Sequence, residues 1–449
     1  MRESVTVSTE VPSEVPTAPT AAAADLPFPD EALARAVVDL SAVRDNVRAL
    51  AGHAPTAAVM AVVKADGYGH GMLPVARAAL AGGATWLGTA VPAEALALRA
   101  GGITPADARV LTWLATPGAP FDRLVAAGVD VGVAAPWALD EVAAGARAAG
   151  QVARVHLKVD TGLGRNGIVP ADLPDVVRRA AALEAEGVLR VVGVMSHLAC
   201  ADEPGHPSIA LQAAAFDDAV RLVERAGRSL EVRHLANSAA VLTDPRLHHD
   251  LVRPGIAVYG HSPVPQLGAP GDYGLRGAMT LQARLATVKD VPAGHGVSYG
   301  HHYTTPRATR LGVVPLGYAD GIQRHASGGD LGVGGPVAVG GGGAAGTGEA
   351  RVLRVAGRVC MDQFVLDLGP GAPERAGDVV TLFGESDGVE RGGDRPNAED
   401  WARAAGTISY EIVTGIGARA ARAYTGLEAG LETAAVVAAD TETGKEVQR

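Results

Sequence analysis

The sequence predicts an α/β fold, an N-terminal (β/α)8 barrel followed by a C-terminal, mostly antiparallel β domain. From about residue 33, short and almost continuously apolar segments alternate with Ala-rich segments that end on Gly, as helices often do. Such apolar strands are typical of a parallel sheet buried on both faces. The unit recurs close to eight times, which favours a closed barrel over an open sheet. After about residue 272 the chain becomes β-rich and loses the helical period.

These changes of pattern divide the 449 residues into four parts. We expect a disordered extension over 1–32, the barrel over 33–272, the β domain over 273–426 and a tail over 427–449. Within the β domain, 327–348 are so rich in Gly that we expect a long loop with room for one short strand. The predicted barrel strands are 57–63, 86–89, 110–114, 129–133, 154–159, 191–196 and 231–235.

Composition limits the kind of partner and compartment. A hydrophobic fraction of 47% supports real cores, and a net charge of −10 argues against nucleic acid as a partner. No apolar run approaches the roughly 20 residues needed to cross a bilayer, and the first 30 residues lack the pattern of a secretory signal. The two cysteines, Cys200 and Cys360, fit neither a disulfide framework nor a zinc motif. We therefore expect a cytoplasmic protein without a metal site.

Lysine is rare in this chain, because only four of the 39 basic residues are lysines. The simplest explanation is coding bias, since Ala, Gly and Arg are abundant together. An amine, however, forms a Schiff base or a carbamate, and a guanidinium does neither readily. Each remaining lysine is therefore a candidate for chemistry, and Lys64 and Lys158 both follow predicted strands.

Lys64 comes directly after the apolar run "AAVMAVV", at the end of the strand where barrels carry their active sites. A single lysine there is more often structural, but four other polar clusters also follow strands, at 156–167, 195–203, 234–240 and 251–260. In the last two, "NSAA" and "RPGIAVYG" offer a hydroxyl and Gly-associated amides that suit a phosphate monoester. Each alone would be taken as a cap or a turn. Together with Lys64 they indicate pyridoxal phosphate.

The chain resembles the bacterial alanine racemase family over about residues 33–424. The resemblance rests on "VVKADGYGHG", "HLKVDTGLGRNG", "MSHLACADE", "HLANSAA", "VRPGIAVYG", "GVSYG", "LGYADG" and "GRVCMDQ", in that order. It implies a pyridoxal phosphate barrel plus a β domain, working as a head-to-tail homodimer with active sites shared between subunits. The implied reaction interconverts L-alanine and D-alanine and supplies D-alanine for peptidoglycan.

The resemblance assigns the two proton-transfer roles that racemisation needs. Lys64 would bind the cofactor covalently and act as acid and base on one face of the α-carbon. Tyr299, from "GVSYG" of the partner subunit, would act on the opposite face. A phenol with its ordinary pKa near 10 is a poor base, so it needs support, which the family supplies through Arg165 and His197. Without the resemblance, Tyr299 would be taken as a packed turn residue.

The resemblance also assigns the cofactor contacts. Arg253 would face the pyridine nitrogen. Because arginine stays protonated, it would discourage full delocalisation of the substrate carbanion into the ring, and less delocalisation means less transamination. His234 and His197 would hydrogen-bond around Arg253. The groups expected to hold the phosphate are Tyr68, Ser238 and the backbone of Gly255 and Ile256.

The substrate contacts follow in the same way. Arg165 and the partner's Met361 and Asp362 would bind the substrate, Met361 through its backbone N–H, and Tyr318 would line the entryway. The position of Lys158 is often carbamylated in the family, and the carbamate would orient Arg165. The alternative is an unmodified lysine paired with Asp160 or another acid.

One departure from the family pattern concerns the phosphate. The resemblance leads us to expect a further phosphate-binding tyrosine eight residues after Tyr410, but that position is Ala418. We expect one phosphate contact to be lost or replaced there.

Three other functions remain open from the sequence. A racemase of broader range would act on serine or other amino acids, and pocket width would decide this. A non-catalytic pyridoxal phosphate carrier would resemble only the barrel, so "GVSYG" and "GRVCMDQ" count against it. A decarboxylase on a related architecture would release CO₂ and carry different C-terminal residues.

Overall fold

The computed structural model describes residue 28 and residues 31–227, 229–340, 351–384 and 395–426. The predicted tail at 427–449 and residues 1–27 and 29–30 of the predicted extension lie outside the described residues. Phe28, within the predicted extension, is described, and the guanidinium groups of Arg35 and Arg284 lie over its ring, 4.7 and 4.6 Å from the ring centre.

The regular elements, in chain order, have the following bounds. The strands are β1 (Ala34–Asp39), β2 (Ala58–Val62), β3 (Trp86–Thr89), β4 (Arg109–Thr112), β5 (Val129–Val133), β6 (Ala153–Lys158), β7 (Leu189–Met195), β8 (Val232–His234), β9 (Leu251–Val252), β10 (Met279–Arg284), β11 (Thr287–Val291), β12 (Gly296–Val297), β13 (Tyr303–Thr304), β14 (Thr309–Val314), β15 (Pro336–Val339), β16 (Arg351–Arg354), β17 (Phe364–Gly369), β18 (Val379–Phe383) and β19 (Ala421–Thr425). The helices are α1 (Leu40–His53), α2 (Lys64–Tyr68), α3 (Met72–Ala81), α4 (Pro92–Ala100), α5 (Phe121–Ala126), α6 (Pro136–Ala149), α7 (Leu173–Ala185), α8 (Pro207–Arg225), α9 (Ser238–Thr243), α10 (Ala398–Ala405) and α11 (Ser409–Thr414).

Eight parallel strands form the barrel, in the order β8-β7-β6-β5-β4-β3-β2-β9. The sheet closes between its end strands, because the Asp250 N–H donates to the Arg233 carbonyl at 3.1 Å and the Arg253 N–H to the Ala236 carbonyl at 2.9 Å. The predicted barrel is therefore confirmed, and all seven predicted strands are present. The eighth, β9, was not predicted as a strand, because two apolar residues before Arg-Pro-Gly give no periodic signal.

The inside of the barrel is filled by side chains from every strand. Six strands contribute one apolar side chain each to a shared cluster, namely Met60, Trp86, Leu111, Met195, Val232 and Leu251. The other two strands, β5 and β6, instead place the fully buried polar side chains of Asp130 and His156. The interior is thus a packed core with one polar strip through it.

The β domain has a six-stranded sheet in the order β16-β15-β18-β10-β1-β19, a three-stranded sheet and the β12–β13 hairpin. Strand β1 belongs to this domain, pairing antiparallel with β10 and parallel with β19. Its sequence falls within the range expected for the barrel. An almost fully buried strand has the same sequence pattern in the barrel sheet as in the β-domain sheet. Only the long-range pairing of β1 shows to which sheet it belongs.

In the Gly-rich segment, β15 is the short strand for which the sequence left room, and 341–350 lie outside the described residues. Among the described helices, none is long and apolar enough to span a bilayer.

Candidate active site

Lys64 lies at the carboxyl end of β2, where the chain makes an unusual turn. Ala65, Asp66 and Tyr68 all have φ of 52°, Gly67 has φ of 61° and Gly69 has φ of 79°, so five consecutive residues have left-handed φ values. Each non-Gly residue there costs about 1–2 kcal/mol, and such a turn persists only where the surroundings hold it. The turn directs Lys64 and Tyr68 to the same side of the barrel mouth, with the Lys64 Nζ 5.9 Å from the centre of the Tyr68 ring.

Three contacts hold this turn, and two of them come from distant parts of the chain. The Glu94 carboxylate at the start of α4 accepts the Ala65 N–H at 2.7 Å. Asp66 accepts the Met72 N–H at 2.8 Å and so caps α3. The Arg422 guanidinium, on β19, donates twice to the Gly69 carbonyl, at 3.0 and 2.9 Å. The β domain therefore braces the lysine turn of its own barrel, a role that the sequence alone did not reveal for Glu94 or Arg422.

The amines of Lys64 and Lys158 share a cation-rich environment. Burial, followed by the charge of Arg165, lowers the pKa of Lys64, and Glu94 opposes this. Burial, followed by the charges of Arg253 and Arg165, lowers the pKa of Lys158 to about 8. Both amines are therefore neutral, and nucleophilic, in a larger fraction of molecules than an exposed lysine. Arg165, the predicted substrate-binding arginine, is exposed and adds its positive charge to this cluster.

Arg253 is buried close to Lys158, and its guanidinium is held by four acceptors. One terminal nitrogen donates to the His234 Nδ1 at 3.0 Å and to the His234 carbonyl at 2.6 Å. The other donates to the carbonyls of Ser196 at 2.6 Å and Leu235 at 3.2 Å. Burial lowers its pKa to about 10, so Arg253 stays protonated at neutral pH.

Of the two predicted histidine neighbours of Arg253, only one is hydrogen-bonded to it among the described residues. His234 makes the predicted hydrogen bond to it. For His197, burial and then the charges of Arg253 and Arg165 lower the pKa to about 3, so the ring is neutral and close to both cations. Among the described residues, however, the His197 ring makes no hydrogen bond to Arg253, and that part of the prediction is not seen.

The predicted phosphate contacts come together at the start of α9. Asn237 caps this helix, and the Ser238 hydroxyl accepts the N–H of Gly255 at 2.8 Å. A Cβ placed on Gly255 would lie 2.3 Å from the Tyr68 hydroxyl oxygen, so only glycine lets this phenol approach the backbone so closely. Ile256 follows directly and is fully buried. Ser238, Tyr68 and this backbone therefore form one cradle.

A second phenol, which the sequence analysis did not assign, lies beside this cradle. The Tyr410 ring, on α11, is 6.4 Å from the Tyr68 ring, measured between centres. Burial raises the pKa of both phenols, so both remain protonated hydrogen-bond donors. Ala418, at the position where the resemblance implied a further tyrosine, is exposed, and Tyr410 places a second phenol beside Tyr68. No local pattern marks Tyr410, because α11 reaches the barrel only through the packing of the β domain.

The predicted residues from the β domain are displayed outward instead. Tyr299 is 73% exposed, Met361 53% and Tyr318 44%. Ser298, just before Tyr299, has φ of 61°, and its hydroxyl donates to the Arg358 carbonyl at 2.9 Å, which fixes the turn that presents Tyr299. Within the described part of one chain, no hydrogen bond, ion pair or ring contact joins these side chains to Lys64.

The other two exposed residues belong to one linked surface. The Tyr318 N–H donates to the Cys360 carbonyl at 3.0 Å, directly before Met361. Arg419 bridges Asp362 at 2.8 Å and Asp320 at 2.6 Å. Tyr318, Met361 and Asp362 are therefore held together on one surface of the β domain. No group of three or more His, Cys, Asp or Glu side chains suited to a metal occurs in the described ranges.

A barrel with a reactive lysine, a buried arginine and a phosphate cradle at one mouth, joined to a β domain, defines an enzyme class that acts on amino acids. Family models described as the N-terminal and C-terminal domains of alanine racemase match residues 38–263 and 278–424. The chain belongs to the alanine racemase family, and its reaction is the interconversion of L-alanine and D-alanine. The known role of the family is to supply D-alanine for peptidoglycan. The resemblance is thereby confirmed.

Individual relatives agree over most of their length. The alanine racemase of Streptomyces coelicolor is 59% identical over 394 residues, which cover 87% of this chain and 95% of that protein. The structure of alanine racemase from Streptomyces lavendulae matches with a TM-score of 0.82 and 56% identity, covering 90% of this chain and 99% of that one. The structure from Bartonella henselae, described with covalently bound pyridoxal phosphate, matches with a TM-score of 0.73 and 26% identity over 88% of this chain and 99% of that one.

Proposed function

We propose that this chain holds pyridoxal phosphate at the barrel mouth and racemises alanine in the cytoplasm, as a homodimer whose subunits share each active site. The observation that carries the cofactor assignment is the convergence of Lys64, Arg253 and the cradle of Tyr68, Ser238 and Gly255 on one mouth. The covalent pyridoxal phosphate of the Bartonella henselae relative supports it.

The residues present fit the cofactor in charge and in shape. A phosphate monoester carries close to two negative charges. Four cations lie close enough together to lower the pKa of one another or of His197, namely Lys64, Lys158, Arg165 and Arg253. The cradle offers protonated phenols and a glycine backbone without a Cβ, which suit oxygen acceptors at short range. The Ser238 hydroxyl and the Ile256 backbone complete the same edge of the mouth.

In this proposal each residue has a defined task. When bound, pyridoxal phosphate withdraws electrons and stabilises negative charge at the substrate α-carbon. Lys64 anchors the cofactor, and its amine then takes or returns the α-proton on one face. Arg253 donates an N–H toward the pyridine nitrogen without giving up its proton, since even its lowered pKa is about 10.

We further propose that the opposite face is served by the partner subunit's Tyr299. An exposed phenol on a constrained turn, with no contact to Lys64 in its own chain, supports this arrangement. The partner's Met361, Asp362 and Tyr318 would lie at the same mouth, and Arg165 and the Met361 N–H would hold the alanine carboxylate. Sharing of the site makes the dimer necessary for activity.

The direct test is racemisation by the purified chain supplied with pyridoxal phosphate. We expect L-alanine to lose its optical activity until equal amounts of both enantiomers are present, with L-serine and L-lysine turned over more slowly. Equal rates on the three substrates would replace the proposal with a racemase of broader range. Release of CO₂, or cofactor binding without racemisation, would support the decarboxylase or the carrier instead.

Mixing two inactive variants tests the shared site. In a mixed dimer of Lys64→Ala and Tyr299→Phe, one site carries both substitutions and the other carries neither. After subunits have exchanged freely, half of the dimers are mixed, so we expect recovery of about a quarter of the wild-type activity. If each site used the lysine and tyrosine of one chain, mixing would restore nothing. Mixing Lys64→Ala with itself is the matched control.

We also propose that Lys158 carries a carbamate. Lys158 is 5% exposed, and its amine has a pKa of about 8 and is influenced by the charges of Arg253 and Arg165, with Asp160 as the opposing acid. The ammonium group first loses one proton, and addition of CO₂ to the neutral amine then releases a second, so that a cation becomes a carbamate anion among these guanidinium groups, which favours the product.

Labelling tests the carbamate. After incubation with ¹³C-bicarbonate we expect a carbamate carbon signal that is absent from Lys158→Ala and retained in Lys289→Ala, which alters an exposed strand lysine. Lys158→Ala should also lose about 10²-fold in kcat through misplacement of Arg165. A wild-type protein without the labelled signal would leave Lys158 as the unmodified alternative.

A further inference from the structure

A continuous line of buried hydrogen bonds runs from Arg253 into the barrel interior. The Arg253 guanidinium donates to the His234 Nδ1 at 3.0 Å, and the His234 Nε2 lies 2.9 Å from the His156 Nδ1. The His156 Nε2 in turn lies 3.2 Å from a carboxylate oxygen of Asp130. We call these four side chains the Arg253–Asp130 relay. All four are buried.

The two ends of the relay fix the tautomer of both histidines. Arginine can only donate, so the His234 Nδ1 must be the acceptor and the Nε2 must carry the proton. That proton is donated to the His156 Nδ1, which leaves the His156 Nε2 as the protonated nitrogen that faces Asp130. In the opposite tautomer of His156 the Nδ1 would carry the proton and would point it at the protonated His234 Nε2. If His234 changed tautomer to avoid this, its Nδ1–H would point at the Arg253 N–H. A carboxylate at the end of the relay excludes this clash.

The barrel is built to admit this line. His156 is on β6 and His234 on β8, so their bond passes the intervening strand β7. Gly193 occupies that point of β7, and a Cβ there would lie 2.4 Å from the His156 Nδ1. On its other side, His156 packs against the edge of Trp86, at 5.5 Å and 88° between the rings. The glycine leaves room for the ring and the tryptophan limits its rotation.

The carboxylate end is kept ionised. Burial by itself would raise the pKa of Asp130, but the hydrogen bond from His156 and the charge and hydrogen bond of Arg154 lower it below the ordinary value. Arg154 donates to Asp130 at 2.9 Å and to Glu231 at 2.7 Å, so a cation is shared between two acids. For His234, burial followed by the charge of Arg253 lowers the pKa, which keeps that ring neutral as the relay requires.

We propose that His156 and Asp130 are positioning residues for Arg253: the Asp130 carboxylate holds His156 as the acceptor of the His234 Nε2–H, and this supports the one His234 tautomer whose Nδ1 can accept from the guanidinium. The inference rests on the proposed function in one respect, that Arg253 faces the pyridine nitrogen. Neither residue reaches the barrel mouth or the substrate. Their effect on catalysis passes entirely through the direction in which Arg253 donates.

The test compares Asp130→Asn with Glu231→Gln. Both replace a carboxylate by an amide of the same size, but only the first alters the acceptor of His156. ¹⁵N NMR of histidine-labelled protein without cofactor reports which ring nitrogens are protonated. We expect protonated Nε2 atoms for both relay histidines in the wild type and in Glu231→Gln, and a mixture of tautomers in Asp130→Asn. His156→Phe, which keeps an aromatic ring but removes both ring nitrogens, is the second variant if Asp130→Asn does not fold.

The same variants are then loaded with pyridoxal phosphate. For Asp130→Asn or His156→Phe we expect a kcat for racemisation about 10-fold lower, an unchanged KM for alanine, and more pyruvate from transamination per turnover, since a turned guanidinium no longer protects the pyridine nitrogen. Unchanged tautomers in Asp130→Asn, or kinetics equal to those of Glu231→Gln, would overturn the inference. Failure of the wild type to bind the cofactor would refute the proposed function instead, and the tautomer comparison would still test the relay.

Discussion

Lys64→Ala is expected to lower the rate of alanine racemisation by at least about 10⁴-fold, because it removes the cofactor anchor and one of the two proton-transfer groups together. Lys158 cannot replace it, because its amine belongs to a different strand end, on β6 rather than after β2. The measurements are the rate of racemisation and the visible absorbance of the lysine-bound cofactor, which should be lost as well.

Two controls separate this effect from a general loss of structure. Lys289→Ala removes an exposed lysine of β11 and should retain the wild-type rate and absorbance. A small primary amine in the buffer should restore part of the rate to Lys64→Ala, because proton transfer does not require that the amine be attached to the chain. A Lys64→Ala variant that racemises alanine within tenfold of the wild type would contradict the assignment.

Tyr299→Phe is expected to lower racemisation by about 10²–10⁴-fold, the usual contribution of a general acid or base. The loss should be uneven between the two directions of proton transfer. In D₂O, the enantiomer whose α-proton faces Lys64 should continue to exchange that proton without inversion. The other enantiomer should lose exchange, since no group remains on its face. Exchange measured separately from L-alanine and D-alanine distinguishes the two.

Tyr303→Phe is the matched control for this variant. Tyr303 lies four residues further on, and its hydroxyl donates to Asp367 at 2.6 Å within the β domain. Its removal should leave the rate and the exchange pattern unchanged. If Tyr299→Phe racemised at the wild-type rate, the assignment of two bases on opposite faces would be wrong.

Much of the fold and site could be predicted from residues that are close in sequence. The strand before Lys64 is an uninterrupted apolar run, and the motif residues directly after it and after β6, β7, β8 and β9 converge because the ends of parallel strands meet. The same reasoning missed β1, whose buried pattern fits either sheet. It also missed Tyr410, which approaches Tyr68 only because α11 packs on the lysine turn.

The sequence by itself determined the barrel, the β domain, the family and the residue types that carry the chemistry, since each of these depends on periodicity or on short motifs. Only the tertiary structure decided which side chains meet across the barrel. The bracing of the lysine turn by Glu94 and Arg422, and the burial of Asp130 behind His156, join residues far apart in the chain. Such contacts depend on closure of the sheet and on docking of the β domain, and no local pattern of side chains encodes them.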